Sequence, residues 1–348
     1  MSFWNTVMDA QGEVRYGQRL IPSLIDDIAA NDPDRVCFSF PQTANLQDGL
    51  QNLTFRIFAN AINKTAHFIQ REIGRSSMFE TVMYMGYPDV RHFIVLIALI
   101  KTGHKALFSS HRNSVAVHAD LIKRTDCAIL LHTAGFPVSG ILETCRMESL
   151  CMPDLEYLLD DSPFEGFPYD KTWEEAKNHP VMVVDTLGST GLPKPVVWTH
   201  WTLSTGGPYR LTPPIDGRPT LWGVFTSCKR AYMALPIFRG AGIGIGISVA
   251  CFTQTTIVLG LPGQETADTL KAIFELTDLD AINARPATLE EVATRPDIMA
   301  RFNRLEFVAV VGGALSNGAS EKLSQHVRIY TLMANTEPIN SVQSASDP

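Results

Sequence analysis

Residues 186–195 read Thr-Leu-Gly-Ser-Thr-Gly-Leu-Pro-Lys-Pro, directly after the apolar run Val181-Met182-Val183-Val184. A strand that runs into a loop of glycines, hydroxyls and one lysine suits the grip of a polyphosphate. Gly188 and Gly191 let backbone N–H groups turn inward as an anion-binding nest, Ser189 and Thr190 add donors, and Lys194 adds a point charge. The spacing is not that of the P-loop, which needs four residues between its glycines and a terminal Gly-Lys-Ser/Thr. Here two residues separate the glycines and Pro193 precedes Lys194.

Working outward, both flanks alternate strand and helix. Upstream, Phe55, Phe58, Ala59, Ile62, Ala66, Ile69 and Ile73 fall at helical spacing, with Thr54 as N-cap and Gly74 as stop. Strands are expected at Thr81–Met85, Lys105–Ser109 and Cys127–His132, with helices at Asp89–Thr102 and Ser114–Thr125. Downstream, strands are expected at Thr255–Leu259, Leu279–Ala284, Leu305–Val311 and Val327–Leu332. The intervening helices are Thr266–Thr277, Thr288–Arg301 and Ala319–His326. Short connectors between alternating elements imply an α/β fold of parallel sheets with crossover helices. The expected division is a first βα subdomain at about 20–150, an irregular Pro/Gly-rich connection at 151–180 and the phosphate loop at 181–200. A second βα subdomain at about 205–335 and a polar tail at 338–348 follow, with the loop in the cleft between the subdomains.

Composition narrows the function. With 45% apolar and 19% charged residues in 348, the chain reads as a globular enzyme. A net charge of −7 without a basic stripe argues against nucleic acid as a partner. Cys37, Cys127, Cys145, Cys151, Cys228 and Cys251 form no C-x-x-C pair and read as buried thiols of a reducing compartment. His92–Ile100 is too short for a membrane span and Ile243–Gly260 is broken by glycines and polar residues. The N-terminus lacks a signal-peptide pattern. The expectation is a soluble, cytoplasmic protein.

The loop resembles the phosphate-binding signature of the adenylate-forming (AMP-binding) superfamily, Thr-Ser-Gly-Ser-Thr-Gly-x-Pro-Lys, everywhere except Leu187. Other segments follow in the superfamily's order: Leu99–Phe108 with Arg112-Asn113-Ser114, Tyr169–Lys177, Pro236–Gly242, Asp280–Val292, Val311–Ser316 and Thr336-Glu337. Their wording is similar to the adenylation domain of fungal nonribosomal-peptide-synthetase-like enzymes of the carboxylate-reductase type. The resemblance implies attack of a small carboxylic acid on the α-phosphate of ATP, then transfer of the acyl group to a phosphopantetheine or CoA thiol, with a carrier protein as a possible partner. It implies that Thr186, Gly188, Ser189, Thr190, Gly191 and Lys194 hold the phosphates and that Thr336 contacts the α-phosphate. Glu337 would bind Mg²⁺. Gly312, Gly313 and Ala314 would lie against adenine and the acyl pocket, with Met333, Ala334 and Asn335 beside them. Phe238, Arg239 and Gly242 would line the pocket. Lys194, Thr336 and Glu337 are the residues to which the resemblance gives catalytic roles.

Several positions depart from the pattern. Leu187 replaces a serine, Arg239 stands where many relatives carry histidine, and Ala314 lacks the following proline. Met333-Ala334 replace an aromatic-Gly pair, which would weaken adenine stacking. Relatives continue into a ribose-binding aspartate, a hinge and a small C-terminal domain bearing a catalytic lysine, whereas this sequence ends at Pro348. The expectation is therefore an adenylation domain without its lid, crippled in turnover.

Two alternatives carry different chemistry. A noncatalytic adenylation-like protein would bind nucleotide or a partner without turnover. A nicotinamide oxidoreductase would use the run Gly240–Gly246 with Glu265, although those glycines suit helix packing better. His200 reads as a cap rather than a base, and Glu174-Glu175 as a solvated helix face. Arg239 remains open between a substrate carboxylate and a structural ion pair. No G-x-S-x-G elbow is present.

Overall fold

The computed structural model describes residues 18–186, 192–210, 212–214, 217, 219–332 and 336, and the backbone of residues 7–8 and 14–15. Fifteen strands occur among them. β1 (Val7–Met8) and β2 (Val14–Arg15) form a small antiparallel ladder. A six-stranded sheet has the order β10-β9-β6-β5-β7-β8, from β5 (Thr81–Met85), β6 (Lys105–Phe108), β7 (Ile129–His132), β8 (Glu148–Cys151), β9 (Pro180–Asp185) and β10 (Pro195–Thr199). A seven-stranded sheet has the order β15-β14-β13-β11-β12-β3-β4. It comprises β3 (Val36–Pro41), β4 (Leu50–Thr54), β11 (Arg230–Ala234), β12 (Thr256–Leu259), β13 (Ala281–Ala284), β14 (Phe307–Val311) and β15 (Ile329–Leu332).

Both sheets are parallel except at one edge each, where β10 and β4 run antiparallel to β9 and β3. Helices separate the sheets and cover their outer faces, so interior strands read as nearly continuous apolar runs. The pleat divides each strand between layers. In β5, Val82 and Tyr84 face the shared central core while Met83 and Met85 face the outer layer. In β14, Phe307, Ala309 and Val311 face the centre while Val308 and Val310 meet the outer helices. The central layer contains helices Phe55–Ile73, Arg91–Lys101 and Gly240–Phe252, of which every residue of Arg91–Lys101 is buried.

The sequence signals worked where chemistry is local. Thr54 caps the helix Phe55–Ile73 by accepting from the Ile57 N–H, and Gly74 ends it at φ +83°. Sheet membership, by contrast, is not contiguous in sequence. β3 and β4 join the second sheet because β3 pairs with β12, Phe38 opposite Ile257. Such a pairing across some two hundred residues leaves no trace in periodicity. The single helix expected over 288–301 is two, Pro286–Val292 and Pro296–Phe302. Pro296 has no N–H to donate and excludes the helical conformation at Arg295, which sits at φ −120°, ψ 88°. Among the cysteines, Cys151 is exposed and Cys145 half-buried, against the expectation of six buried thiols, and all are unpaired. No helix of the described residues is long and apolar enough to cross a membrane.

Candidate functional site

β9 and β10 form an antiparallel hairpin whose ladder ends at Asp185 opposite Pro195. Two hydrogen bonds close it beyond the ladder. The Thr186 N–H donates to the Lys194 carbonyl at 3.0 Å. The Lys194 N–H donates to Thr186 Oγ1 at 3.1 Å. Residues 187–191 of the phosphate loop, including Gly188, Ser189, Thr190 and Gly191, lie outside the described residues. The closure spends the Thr186 hydroxyl on the backbone and leaves the Lys194 side chain exposed, with no carboxylate of the described residues paired to it. An exposed ammonium at the mouth of a tight hairpin fits a polyanion.

The other candidate segments gather at the carboxyl edge of the second sheet. In an open parallel sheet all such ends lie on one side, where ligands bind. Gly312-Gly313-Ala314 leave β14 there, exposed, with Gly312 at φ +92°. That conformation favours glycine and keeps the backbone free of side chains for close approach. Thr336 follows β15 by four residues and is half-buried, whereas Met333, Ala334, Asn335 and Glu337 lie outside the described residues. Its carbonyl accepts a hydrogen bond from Trp198 Nε1 at 3.0 Å, so the hairpin and the end of the second sheet touch.

A buried polar chain sits beneath the loop. Asp185, its side chain 1% exposed, is ion-paired with Arg239, whose side chain is 21% exposed. It also accepts from Asn113 Nδ2 at 2.9 Å. Asn113 Nδ2 donates to Ser109 Oγ as well, at 3.0 Å, and Ser109 Oγ lies 3.1 Å from His118 Nδ1. Burial holds His118 below its ordinary value, with Asp185 pulling the other way. The structure thus gives Arg239 a buried carboxylate partner within the chain. Arg239 is also the residue before the helix Gly240–Phe252, so the pair fixes that helix start against the end of β9.

Phe238 is buried with its ring edge-on to His111 at 4.9 Å. Burial, and then Arg112, holds His111 below its usual range. Gly242 is buried and a Cβ there would meet the Pro236 carbonyl at 2.2 Å. Next to this group, Arg285 pairs with Glu265 at 3.2 Å, one residue past the end of β13.

His200 is a buried first residue of a short helix, its Nε2 2.9 Å from the Tyr169 hydroxyl, and burial pulls it down to about 3. Glu175 completes a capping box with Thr172. A cavity of about 1000 Å³ beside β3 and β12 contains none of the candidate residues. Its wall carries Asp89, Asp154, Glu156 and Asp160, which would repel a polyphosphate, so chemistry rather than size locates the site. Among the described residues no three His, Cys, Asp or Glu side chains converge as a metal cluster. Sequence reasoning missed Asp185 and Trp198. The signal for Asp185 was available: a lone carboxylate ending an apolar strand needs a cation beside it.

Residues 25–340 match the AMP-binding enzyme family. The chain is 32% identical to the carboxylic acid reductase of Neurospora crassa, covering 95% of this chain and 32% of that protein. It is 30% identical to the isocyanide synthase-NRPS hybrid crmA of Aspergillus fumigatus, covering 93% of this chain and 22% of that protein. The chain therefore spans a third or less of these curated relatives. The fold matches the Klebsiella oxytoca NpsA N-terminal subdomain in complex with 3-hydroxybenzoyl-AMSN, with a TM-score of 0.71 at 17% identity over 94% of this chain and 76% of that one.

Proposed function

The chain belongs to the AMP-binding enzyme family, and from that premise we propose that it activates a small carboxylic acid as an acyl-adenylate. One carboxylate oxygen attacks the α-phosphorus of ATP. The bond from that phosphorus to the pyrophosphate oxygen breaks, and pyrophosphate leaves with the electron pair. A phosphopantetheine or CoA thiol then takes the acyl group, with AMP as the leaving group. The relatives named carboxylic acid reductase and isocyanide synthase-NRPS hybrid favour a place in secondary metabolism and a carrier-bound thiol.

The observation that carries this reading is the hairpin closed at Thr186 and Lys194, joined through Trp198 to Thr336 across 138 residues. What supports it is that β10, the strand that follows Lys194, touches the segment that follows β15. In this reading Lys194 binds the β- and γ-phosphates, with Ser189, Thr190 and the N–H groups of Gly188 and Gly191. Thr336 orients the α-phosphate. The open backbone of Gly312-Gly313-Ala314 receives adenine, with Met333 in place of a stacking ring. The acyl pocket lies toward Phe238, Arg239 and Gly242, and Arg239 is held by Asp185 rather than offered to the acid.

The donor set also suits Mg²⁺. Glu337 with phosphate oxygens and waters would make a normal Mg²⁺ shell. When bound, it would neutralise charge that builds on the leaving pyrophosphate. Calorimetry with ATP and with 3-hydroxybenzoyl-AMSN tests the site. Binding of both, with mutual competition, supports the reading, and failure of both to bind removes it.

A further inference from the structure

The two-step activation proposed above moves one proton, and it moves in the second step. At neutral pH a carboxylic acid is already ionised, so it attacks phosphorus as it stands and pyrophosphate leaves as an anion. The acceptor thiol ionises near about 8.5 and arrives with its proton on sulfur. A base is therefore wanted only where the thiol enters. His111 stands where loops at the carboxyl ends of the two sheets meet. It lies just past the end of β6, and its ring packs edge-on to Phe238, which follows β11, with centroids 4.9 Å apart. His111 is exposed, and among the described residues nothing hydrogen-bonds its ring. Arg112 beside it, Glu265 after β12 and Arg239 next to Phe238 act on its charge, and it in turn acts on His92. Glu265 is tied to Arg285 at 3.2 Å, and Arg239 to Asp185. Burial, and then Arg112, keeps the imidazole below its ordinary range, so at neutral pH it offers a free lone pair.

We propose that His111 is the base of the second half-reaction and takes the proton of the acceptor thiol. The proposal rests on the acyl-adenylate reading given above. Sulfur forms its bond to the acyl carbon as the S–H proton passes to an imidazole nitrogen. The bond from that carbon to the AMP oxygen breaks, and AMP leaves with the electron pair. The imidazolium then gives its proton to water, which restores the base. Exposure suits this role, since the thiol arrives from solvent or on a carrier arm. Contact with Phe238 sets the ring beside the acyl pocket of that reading. The neighbouring His92 and His118 are both buried, and His118 Nδ1 is engaged with Ser109 Oγ at 3.1 Å.

The two half-reactions can be read separately in the full chain with ATP and Mg²⁺. Pyrophosphate exchange reads the first, and thioester formed on free pantetheine reads the second. General base catalysis contributes about 10²–10⁴-fold. His111→Gln should therefore lower the ratio of thioester formation to exchange at least tenfold at pH 7. The pH profile gives a second readout. Wild-type thioester formation should level off above about pH 6.5, where the base is neutral. In the variant it should climb about tenfold per pH unit toward about pH 8.5, following the thiolate. An unchanged ratio, whether both rates hold or fall together, would overturn the proposal and leave the functional reading intact. Exchange without any thioester formation in wild type would overturn it as well. A wild type that catalyses no exchange with any acid would sink the functional reading and the proposal with it. Should His111→Gln not fold, the wild-type profile decides alone, and a climb of about tenfold per unit between about pH 6.5 and 8.5 would overturn the base.

Discussion

Replacing Asp185 by asparagine removes a charge from the most buried carboxylate beneath the loop while conserving volume. In the native chain this carboxylate, 1% exposed, holds Arg239 on one oxygen and Asn113 on the other, the second at 2.9 Å. Charge-assisted hydrogen bonds contribute about 1.5–3 kcal/mol each, and breaking a buried ion pair by removing one partner costs about 3–5 kcal/mol. Two features reduce the cost here. The Arg239 side chain keeps 21% of its surface in water and can partly rehydrate, and asparagine retains one acceptor oxygen. The expected loss is about 2–4 kcal/mol for Asp185→Asn. In the pair Asp185→Asn with Arg239→Met the stranded guanidinium is gone, so the double variant should recover about 1–3 kcal/mol relative to additivity. Urea unfolding followed by circular dichroism measures all four corners of the cycle. A loss under 0.5 kcal/mol for Asp185→Asn, or strict additivity of the pair, would refute the claim that this ion pair anchors the helix start to the end of β9.

Other outcomes follow from the same geometry. Gly312→Ala places a side chain at φ +92° where nothing lies within 4 Å of the new Cβ, so its cost is backbone strain alone, about 1 kcal/mol or more; an unfolding midpoint equal to wild type would show that the torsion is not needed. Burial holds His92 near 4 and His200 near 3, well below the unfolded value of 6.5. The unfolded chain then binds more protons between those limits, so stability rises with pH there and falls on acidification below about 6.5, by at most about 2.7 kcal/mol per pH unit for two such groups. Flat stability between pH 7 and pH 5 would contradict this, and His200→Gln should remove part of the slope. Lys194→Ala should weaken ATP or pyrophosphate at least tenfold, as one charge-assisted bond of about 1.5–3 kcal/mol requires; equal calorimetric affinities would sink the assignment.

Much of the fold was legible because its signals are local. Thr54, Ser114, Thr266 and Ser316 each cap a helix by accepting from a backbone N–H three residues on. The parallel strands were legible as short apolar runs between such helices. What was not legible is pairing. Nothing in Val36–Pro41 announces that it lies beside β12, and nothing in Pro195–Thr199 says that it returns antiparallel to β9. The site shows the same divide. Lys194 was a candidate from residue type and Gly312-Gly313 from the resemblance; in the fold Lys194 is exposed and Gly312 takes φ +92°. Trp198 was no candidate, because its importance arises from a contact with Thr336 that only the folded chain creates. The partner of Arg239, Asp185, likewise meets it only in the folded chain.

The claim that this hairpin and sheet edge together activate an acid is tested most directly by pyrophosphate exchange into ATP. The assay uses residues 1–348 with Mg²⁺ and a panel of aryl, α-keto and amino acids, and it includes Lys194→Ala. The expected result is exchange above the acid-free blank with at least one acid class, falling at least tenfold in the variant. Exchange indistinguishable from the blank for every acid, at ATP concentrations that saturate binding, would contradict it.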